Sequence, residues 1–358
     1  MPELTRRGTL KLTAASGLVA AAGAAPVPLS ARGAAASPRR PSHARIDTHH
    51  HALPKRMREW AIAQRIIPPT GGPSWANWTL LGTLATMEAN GIAVGVASAP
   101  IPAEVFADRK VAESGVPECN ESLAELVREQ PTRFGFFANV AMLHPDLALK
   151  QIAYALDELG ADGVLLNTSA GGRYLGDRAF DPLLAELDRR GAVVFTHPFS
   201  PKGIVKVPEV GDWLGDFLLD TTRTALSLIA SGALDRYRRL SIILSHGGGF
   251  LPYMAGRVER WGREDEDGPD PAKFRRALRR FYYDTALPMS PYATPTLLGA
   301  VGAERVLFGT DWPSNSAREV TRNTADLDRD PGLDDRARRL IARDNALRLF
   351  PRLAGARR

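Results

Sequence analysis

Short apolar runs alternate along the chain with amphipathic stretches of helical period. The amphipathic stretches include residues 120–130, 146–159, 180–190 and 221–234. Near-continuous apolar strands separated by helices are typical of a parallel sheet that is covered on both faces. Eight such strands favour closure, so the pattern predicts an α/β protein with a (β/α)8 TIM-barrel fold. The eight runs are residues 44–51, 92–99, 134–140, 163–168, 192–197, 240–246, 281–285 and 305–311.

The first 43 residues depart from this pattern. Arg6 and Arg7 precede a weakly apolar, alanine-rich stretch, and a segment rich in Ala, Pro, Ser and Arg follows. A basic start, an apolar region and small residues are typical of an export signal. We therefore predict a twin-arginine-type signal peptide and linker over 1–43, a barrel catalytic domain over 44–358, and a periplasmic or secreted protein. If the leader does not function, it is a disordered arm and the protein stays in the cytoplasm.

The distribution of charge narrows the range of partners. The net charge is +6, but residues 1–45 hold seven of the 46 basic side chains and one of the 40 acidic ones. The rest of the chain therefore has 39 of each sign, without the basic excess that binds nucleic acid. Uninterrupted apolar stretches stay shorter than the roughly 18 to 20 residues that span a bilayer. We predict neither a nucleic-acid partner nor a membrane span.

Candidate metal ligands lie at the ends of three predicted strands. His49 and His51 end the first strand, His197 ends the fifth and Asp311 ends the eighth. Because side chains alternate along a strand, His49 and His51 share one face and His50 points to the other. The C-terminal strand ends of a parallel barrel gather the catalytic side chains. Three imidazoles and one carboxylate predict one divalent ion with an open coordination position, zinc first and manganese or iron as alternatives.

His246 ends the sixth predicted strand and precedes three glycines that let a substrate approach closely. It is either a further ligand or a proton-transfer group. Since the other four residues already complete a ligand set, we predict that His246 is catalytic together with Asp311. The fourth strand ends in Leu166-Asn167-Thr168, without the lysine that bridges two ions in binuclear barrels, which indicates one ion. His43 and His144 fit no strand end.

Four motifs combine these residues with their neighbours: Asp47-x-His49-x-His51-x-x-Pro54, Thr196-His197-Pro198, His246-Gly247-Gly248-Gly249 and Gly309-Thr310-Asp311-x-Pro313. With these motifs the chain resembles the amidohydrolase-related (amidohydrolase 2) family, in its aminocarboxymuconate-semialdehyde decarboxylase-like branch. The resemblance covers residues 44–350, and within the branch the chain is most similar to 6-methylsalicylate decarboxylases.

The resemblance implies a metal-dependent, nonoxidative decarboxylase of a small carboxylic acid, a 2-hydroxybenzoate or a related unsaturated acid. It implies that the four strand-end ligands hold the ion and that His246 handles protons. It also implies a homodimer in which Arg257 binds the carboxylate of a substrate in the neighbouring subunit. Two other functions suit the same residues. One is metal-dependent hydrolysis of a lactone, ester or amide, and the other is binding by a barrel that has lost its chemistry.

Overall fold

Eight parallel strands form one sheet in which each strand pairs with the next along the chain. The computed structural model describes residues 44–264, 268, 270–286 and 290–355, so the predicted leader lies outside the described residues. A two-stranded hairpin, β5 (Ser169–Ala170) with β6 (Arg173–Tyr174), follows the fourth barrel strand. The barrel strands are β1 (Arg45–His51), β2 (Ile92–Ser98), β3 (Phe134–Ala138), β4 (Gly163–Asn167), β7 (Val193–His197), β8 (Ser241–Leu244), β9 (Phe281–Asp284) and β10 (Val306–Leu307).

The barrel closes where β1 meets the segment that follows β10. The backbone N–H of Thr48 donates to the carbonyl of Phe308 over 2.9 Å, and the N–H of His51 donates to the carbonyl of Trp312 over 2.7 Å. The predicted (β/α)8 barrel is therefore confirmed. The eighth predicted strand is shorter than expected: β10 pairs with β9 only over Val306–Leu307, and beyond it the N–H of Phe308 donates to the carbonyl of Ile341 instead.

Helices cover the outside of the barrel between the strands. The predicted helix over 120–130 begins much earlier, because the carboxylate of Asp108 caps its first turn and Pro117 is accommodated inside it. Within the described residues, each helix is too short or too polar to cross a membrane. The helices are α1 (Lys55–Ala63), α2 (Leu80–Ala89), α3 (Arg109–Glu129), α4 (Pro145–Ala153), α5 (Asp181–Arg190), α6 (Asp212–Ala230), α7 (Ala233–Arg236), α8 (Leu251–Glu264), α9 (Pro271–Leu278), α10 (Thr294–Val301), α11 (Ala317–Arg329), α12 (Asp335–Arg339) and α13 (Asn345–Leu349).

The interior of the barrel is filled with apolar side chains below its C-terminal mouth. Phe137 of β3 and Phe195 of β7 stack with ring centroids 5.2 Å apart, and both are fully buried. Burying one such ring contributes roughly 1.5–3 kcal/mol to folding. His49 lies directly above this layer, with its ring 4.8 Å from that of Phe195. The apolar layer thus lies directly beneath the polar side chains at the mouth.

Candidate metal centre

A bulge in β1 sets the direction of the three consecutive histidines. Asp47 pairs with Gly95 and His50 pairs with Ala97, so β1 holds one more residue than β2 over this stretch. Bulges of this kind turn side chains beside active sites. His49, inside this bulge, and His51, just after it, face the barrel interior. His50 faces outward, as the alternation along the strand predicts, and its ring lies over Gly95.

The four predicted ligands converge at the barrel mouth. His49, His51, His197 and Asp311 are all buried, and one candidate ligand atom from each lies within 4.8 Å of the others. The two Nε2 atoms of His49 and His51 are 3.2 Å apart. Oδ1 of Asp311 lies 3.1 Å from the His51 Nε2 and 3.5 Å from the His49 Nε2. Residues from three distant parts of the chain therefore surround one small volume.

Hydrogen bonds on the far side of two rings decide which nitrogen carries the proton. Asp284 lies 2.8 Å from Nδ1 of His49, and an ionised carboxylate accepts hydrogen bonds only, so Nδ1 donates. The hydroxyl of Ser98 donates to the carbonyl of His50 over 3.3 Å, so it accepts from Nδ1 of His51 over 2.9 Å. Both Nε2 atoms consequently present lone pairs to the centre.

This arrangement fits a cation. Lone pairs of His49 Nε2, His51 Nε2 and Asp311 Oδ1 face one another at 3.1–3.5 Å, which is repulsive unless positive charge lies between them. The buried Nδ1 of His197 has no hydrogen-bond partner in the part of the chain that the structure describes. Imidazole nitrogens and a carboxylate are ligands for zinc and other divalent metals. We conclude that the four residues form one divalent-metal site.

The pKa directions agree with a ligand set. Burial, together with the neighbouring histidines His51 and His49, holds the pKa of His197 well below its usual value, and burial lowers the pKa of His51. Burial opposes ionisation of Asp311, but the nearby histidines hold the pKa of that carboxyl well below its usual range. The pKa of His49 is raised despite burial, because the carboxylates of Asp284 and Asp311 favour its protonated ring. A cation at the centre replaces that proton.

Asp47 links β1 to the segment that follows β10 through hydrogen bonds to both. Its Oδ1 accepts from the N–H of His49 over 3.1 Å and from the N–H of Thr310 over 3.0 Å. Its Oδ2 accepts from the hydroxyl of Thr310 over 2.6 Å and from Nδ1 of His50 over 2.9 Å. These bonds hold Asp311, whose backbone adopts a left-handed φ of 57°. His50 therefore supports the site from outside the ligand set.

His246 lies beside the ligands. Its Nε2 is 3.6 Å from Oδ2 of Asp311, and its backbone has a left-handed φ of 53°. The three glycines that follow also have positive φ, and a side chain at Gly249 would meet the carbonyl of Leu218 at 2.1 Å. The fold of this turn therefore requires these glycines, and their small size also leaves access to the site. Residues with such backbone strain cluster at functional sites.

An apolar cavity of about 300 Å³ opens beside His246. Most of its lining is aliphatic or aromatic, which suits a ring-shaped ligand with one polar edge. Tyr253 and Tyr292 line it with 83% and 91% of their surface exposed, so the cavity is open to solvent. The apolar lining includes Leu218, Phe250, Tyr253, Ala286, Tyr292 and Leu297.

Other predicted residues lie elsewhere. Arg257 is exposed on α8 and lines a surface groove with Met254 and Tyr174, so it does not join the ligands within its own chain. Nε2 of His144 donates to the carbonyls of Phe106 and Ala107, a structural role. His43 lies outside the described residues.

Three residues near the site were not predicted from the sequence. Asp284 ends the seventh strand and Ser98 ends the second, so strand-end position was an available signal for both. Phe217 of α6 places its ring 6.5 Å from that of His246 and 6.4 Å from that of Phe199. Its approach depends on how α6 packs over the mouth, which leaves no strand-end signal.

A parallel eight-stranded barrel with a buried three-histidine, one-aspartate centre defines a class of metal-dependent enzymes. Within that class, the sequence profile of the amidohydrolase family (Amidohydro_2) matches residues 46–352, and the chain belongs to this family.

Relatives and solved structures agree with this assignment. The chain is 36% identical to 6-methylsalicylic acid decarboxylase of Penicillium expansum, over 87% of this chain and 98% of the relative. It is 35% identical to 6-methylsalicylic acid decarboxylase acuB of Aspergillus aculeatus, over 87% and 97%. The crystal structure of a dihydroxybenzoic acid decarboxylase from Polaromonas, with bound manganese and 2-nitroresorcinol, has a TM-score of 0.71 and 25% identity, covering 86% of this chain and 96% of that one.

Proposed function

We propose that this protein removes the carboxylate of a 2-hydroxybenzoate, with 6-methylsalicylate as the first substrate to test. The decarboxylase class, predicted from the sequence, is confirmed by relatives that are named decarboxylases. The substrate is the proposal. Its support is the identity of 35% and 36% to two 6-methylsalicylic acid decarboxylases, which exceeds the 30% identity to gamma-resorcylate decarboxylases.

The observation that carries the proposal is the position of Asp311 between the histidine ligands and His246. Its Oδ1 faces the Nε2 atoms of His49 and His51, and its Oδ2 faces the Nε2 of His246. Decarboxylation replaces the bond between the ring carbon and the carboxylate by a bond to hydrogen, so a proton must reach that carbon. His246 lies where it can hold a proton close to the carboxylate of a substrate that is bound at the metal position.

The residues of the site have separate roles in this reaction. When bound, a divalent ion supplies charge neutralisation for the substrate carboxylate and the adjacent hydroxyl. His246 delivers the proton to the ring carbon as carbon dioxide leaves, and Asp311 orients the His246 ring. The aliphatic and aromatic lining of the 300 Å³ cavity packs against the ring of the substrate. The neutral imidazoles favour zinc, and the manganese in the Polaromonas structure makes manganese the alternative.

The test measures carbon dioxide and the phenol formed from one acid. The full chain is stripped with a chelator, reloaded with zinc or manganese in separate samples, and given 6-methylsalicylate. We expect equal amounts of carbon dioxide and 3-methylphenol. The matched control substrate is 2-methylbenzoate, which lacks the hydroxyl and should not react. Ring opening of a lactone without release of carbon dioxide from any 2-hydroxybenzoate would replace the proposal with a hydrolase.

We further propose that the active form is a homodimer and that Arg257 binds the substrate carboxylate in the neighbouring subunit. Arg257 shares one exposed face of α8 with Tyr253 and Trp261, at the four-residue spacing that aligns side chains on a helix. Aromatic residues flanking an arginine are typical of protein interfaces. The resemblance to the branch supplies the role of the arginine.

Mixed dimers test whether Arg257 acts across the interface. Arg257→Ala and His246→Asn subunits, each inactive alone, are co-expressed with different tags. A mixed dimer has one site with an intact His246 and the partner's intact Arg257, so random pairing should restore about a quarter of wild-type activity. A monomer in sedimentation, or no recovery of activity in mixed dimers, contradicts the proposal.

A further inference from the structure

Asp284 hydrogen-bonds both to a metal ligand and to the backbone of His246. It ends β9 and is fully buried. Its Oδ2 accepts from Nδ1 of the ligand His49 over 2.8 Å. Its Oδ1 accepts from the backbone N–H of His246 over 2.8 Å and from that of Ala286 over 3.1 Å. Among the residues that the structure describes, this one carboxylate bonds to a metal-ligand ring and to the backbone of the proton-transfer histidine.

We propose that Asp284 is a positioning residue that couples metal binding to the placement of His246. Through Oδ2 it keeps the proton of His49 on Nδ1 and leaves the Nε2 lone pair for the ion. Through Oδ1 it holds the turn that carries His246 against Asp311. The first half concerns metal binding alone, whereas the second half rests on the proposed function.

The chemistry of the carboxylate supports the first half. A histidine binds a metal through a nitrogen without a proton, and the hydrogen bond at its other nitrogen fixes that choice. An ionised carboxylate can only accept, so Asp284 excludes the tautomer with the proton on Nε2 of His49. Ser98 gives His51 a weaker version of the same constraint, since a hydroxyl can both donate and accept.

The backbone of His246 supports the second half. Its left-handed φ of 53° is unfavourable for a residue with a side chain, and such a conformation persists where the surroundings fix it. The Asp284 carboxylate provides that restraint directly at the His246 N–H. Losing the bond would free the turn to relax, and Nε2 of His246 would move from its place 3.6 Å from Asp311.

The variant Asp284→Asn tests whether both hydrogen bonds accepted by Asp284 are needed. The amide has the shape of the carboxylate but one acceptor and one donor, so it cannot accept from both His49 and His246. The matched control is Asp162→Asn. Asp162 is another aspartate of the barrel, and its side chain is buried. It accepts from the N–H of Phe136 and pairs with Arg352, but it lies just before β4, at the opposite end of the barrel.

The experiment measures manganese binding to metal-free protein, followed by turnover at saturating metal. We expect Asp284→Asn to weaken manganese binding about 10- to 100-fold, with the control unchanged. At full occupancy, we expect kcat to fall further while KM changes little. Unchanged manganese affinity in a folded Asp284→Asn protein overturns the tautomer half, and unchanged kcat overturns the coupling to His246.

A measurement on the unmodified protein does not depend on whether the variant folds. Nitrogen NMR of the zinc-loaded protein with labelled histidines reports which nitrogen of His49 bears the proton. A proton on Nδ1 supports the proposal, and a proton on Nε2 refutes it. Both metal measurements are independent of decarboxylation, so a protein that binds metal as expected without releasing carbon dioxide contradicts the proposed function and leaves the metal half of the inference intact.

Discussion

Nε2 of His246 lies 3.6 Å from Oδ2 of Asp311, while Oδ1 of the same carboxylate lies 3.1 Å from Nε2 of the ligand His51. A single side chain thus faces the metal position with one oxygen and the His246 ring with the other. This geometry bears on the two roles that the sequence leaves open for His246. It supports the proposal that His246 moves protons while the other four residues complete the ligand set.

Replacing His246 by Asn should leave the metal bound and slow decarboxylation by about 10² to 10⁴, the usual effect of losing one positioned acid or base. Asn keeps the approximate size of the ring but cannot take up and release a proton at neutral pH. Metal content and turnover are measured on the same sample. Loss of metal would make His246 a ligand, and unchanged turnover would remove it from the mechanism.

Replacing His51 by Ala should abolish metal binding and activity together. The remaining three ligands should hold the ion at least ~100-fold less tightly, because the substitution removes a ligand directly. The neighbouring His50→Ala is the control. It loses the bond to Asp47, costing roughly 1–3 kcal/mol of stability, but should retain the ion. Full metal occupancy in His51→Ala would disprove the ligand assignment.

Metal affinity should decrease as the pH is lowered, by about one power of ten per pH unit, and the decrease should begin at a pH above 6.5. The raised pKa of His49 means that the proton competes with the ion there first: binding is unimpaired above that pKa and weakens as pH falls through it. His51 and His197 have lowered pKa values, so they stay neutral in this range and add no further protons. The check is metal titration at several pH values. A slope near three would mean that all three histidines titrate together.

Replacing Arg6 and Arg7 by Lys should retain the uncleaved protein inside the cell. This prediction follows from the proposal that residues 1–43 direct twin-arginine export, which the sequence motivates and which concerns residues outside the described range. Fractionation followed by immunoblotting measures it. Normal amounts of processed protein outside the cytoplasm in the double variant would contradict the proposal.

The strand count, the barrel and the identity of the ligands follow from local features of the sequence. A short apolar run predicts each strand. In a parallel barrel, the residues at the C-terminal ends of these strands lie together at one mouth, whatever their distance along the chain. His49, His51, His197 and Asp311 could therefore be selected together. The facing of His49 and His51, with His50 turned away, follows from alternation between neighbours.

The hydrogen bonds that make those residues a site depend on pairs far apart in sequence. Asp284 and His49 are separated by 235 positions, and Thr310 and Asp47 by 263. No local periodicity reports which aspartate approaches which ring, because that is fixed by the bulge in β1 and by closure of the barrel. The role proposed for Arg257 has the same limit, because this residue is exposed on its own chain and the proposed role requires a second chain. The sequence by itself determined which side chains reach the mouth; the tertiary structure alone decided their tautomers, their partners and the strained backbones of His246 and Asp311, because packing between distant strands imposes them.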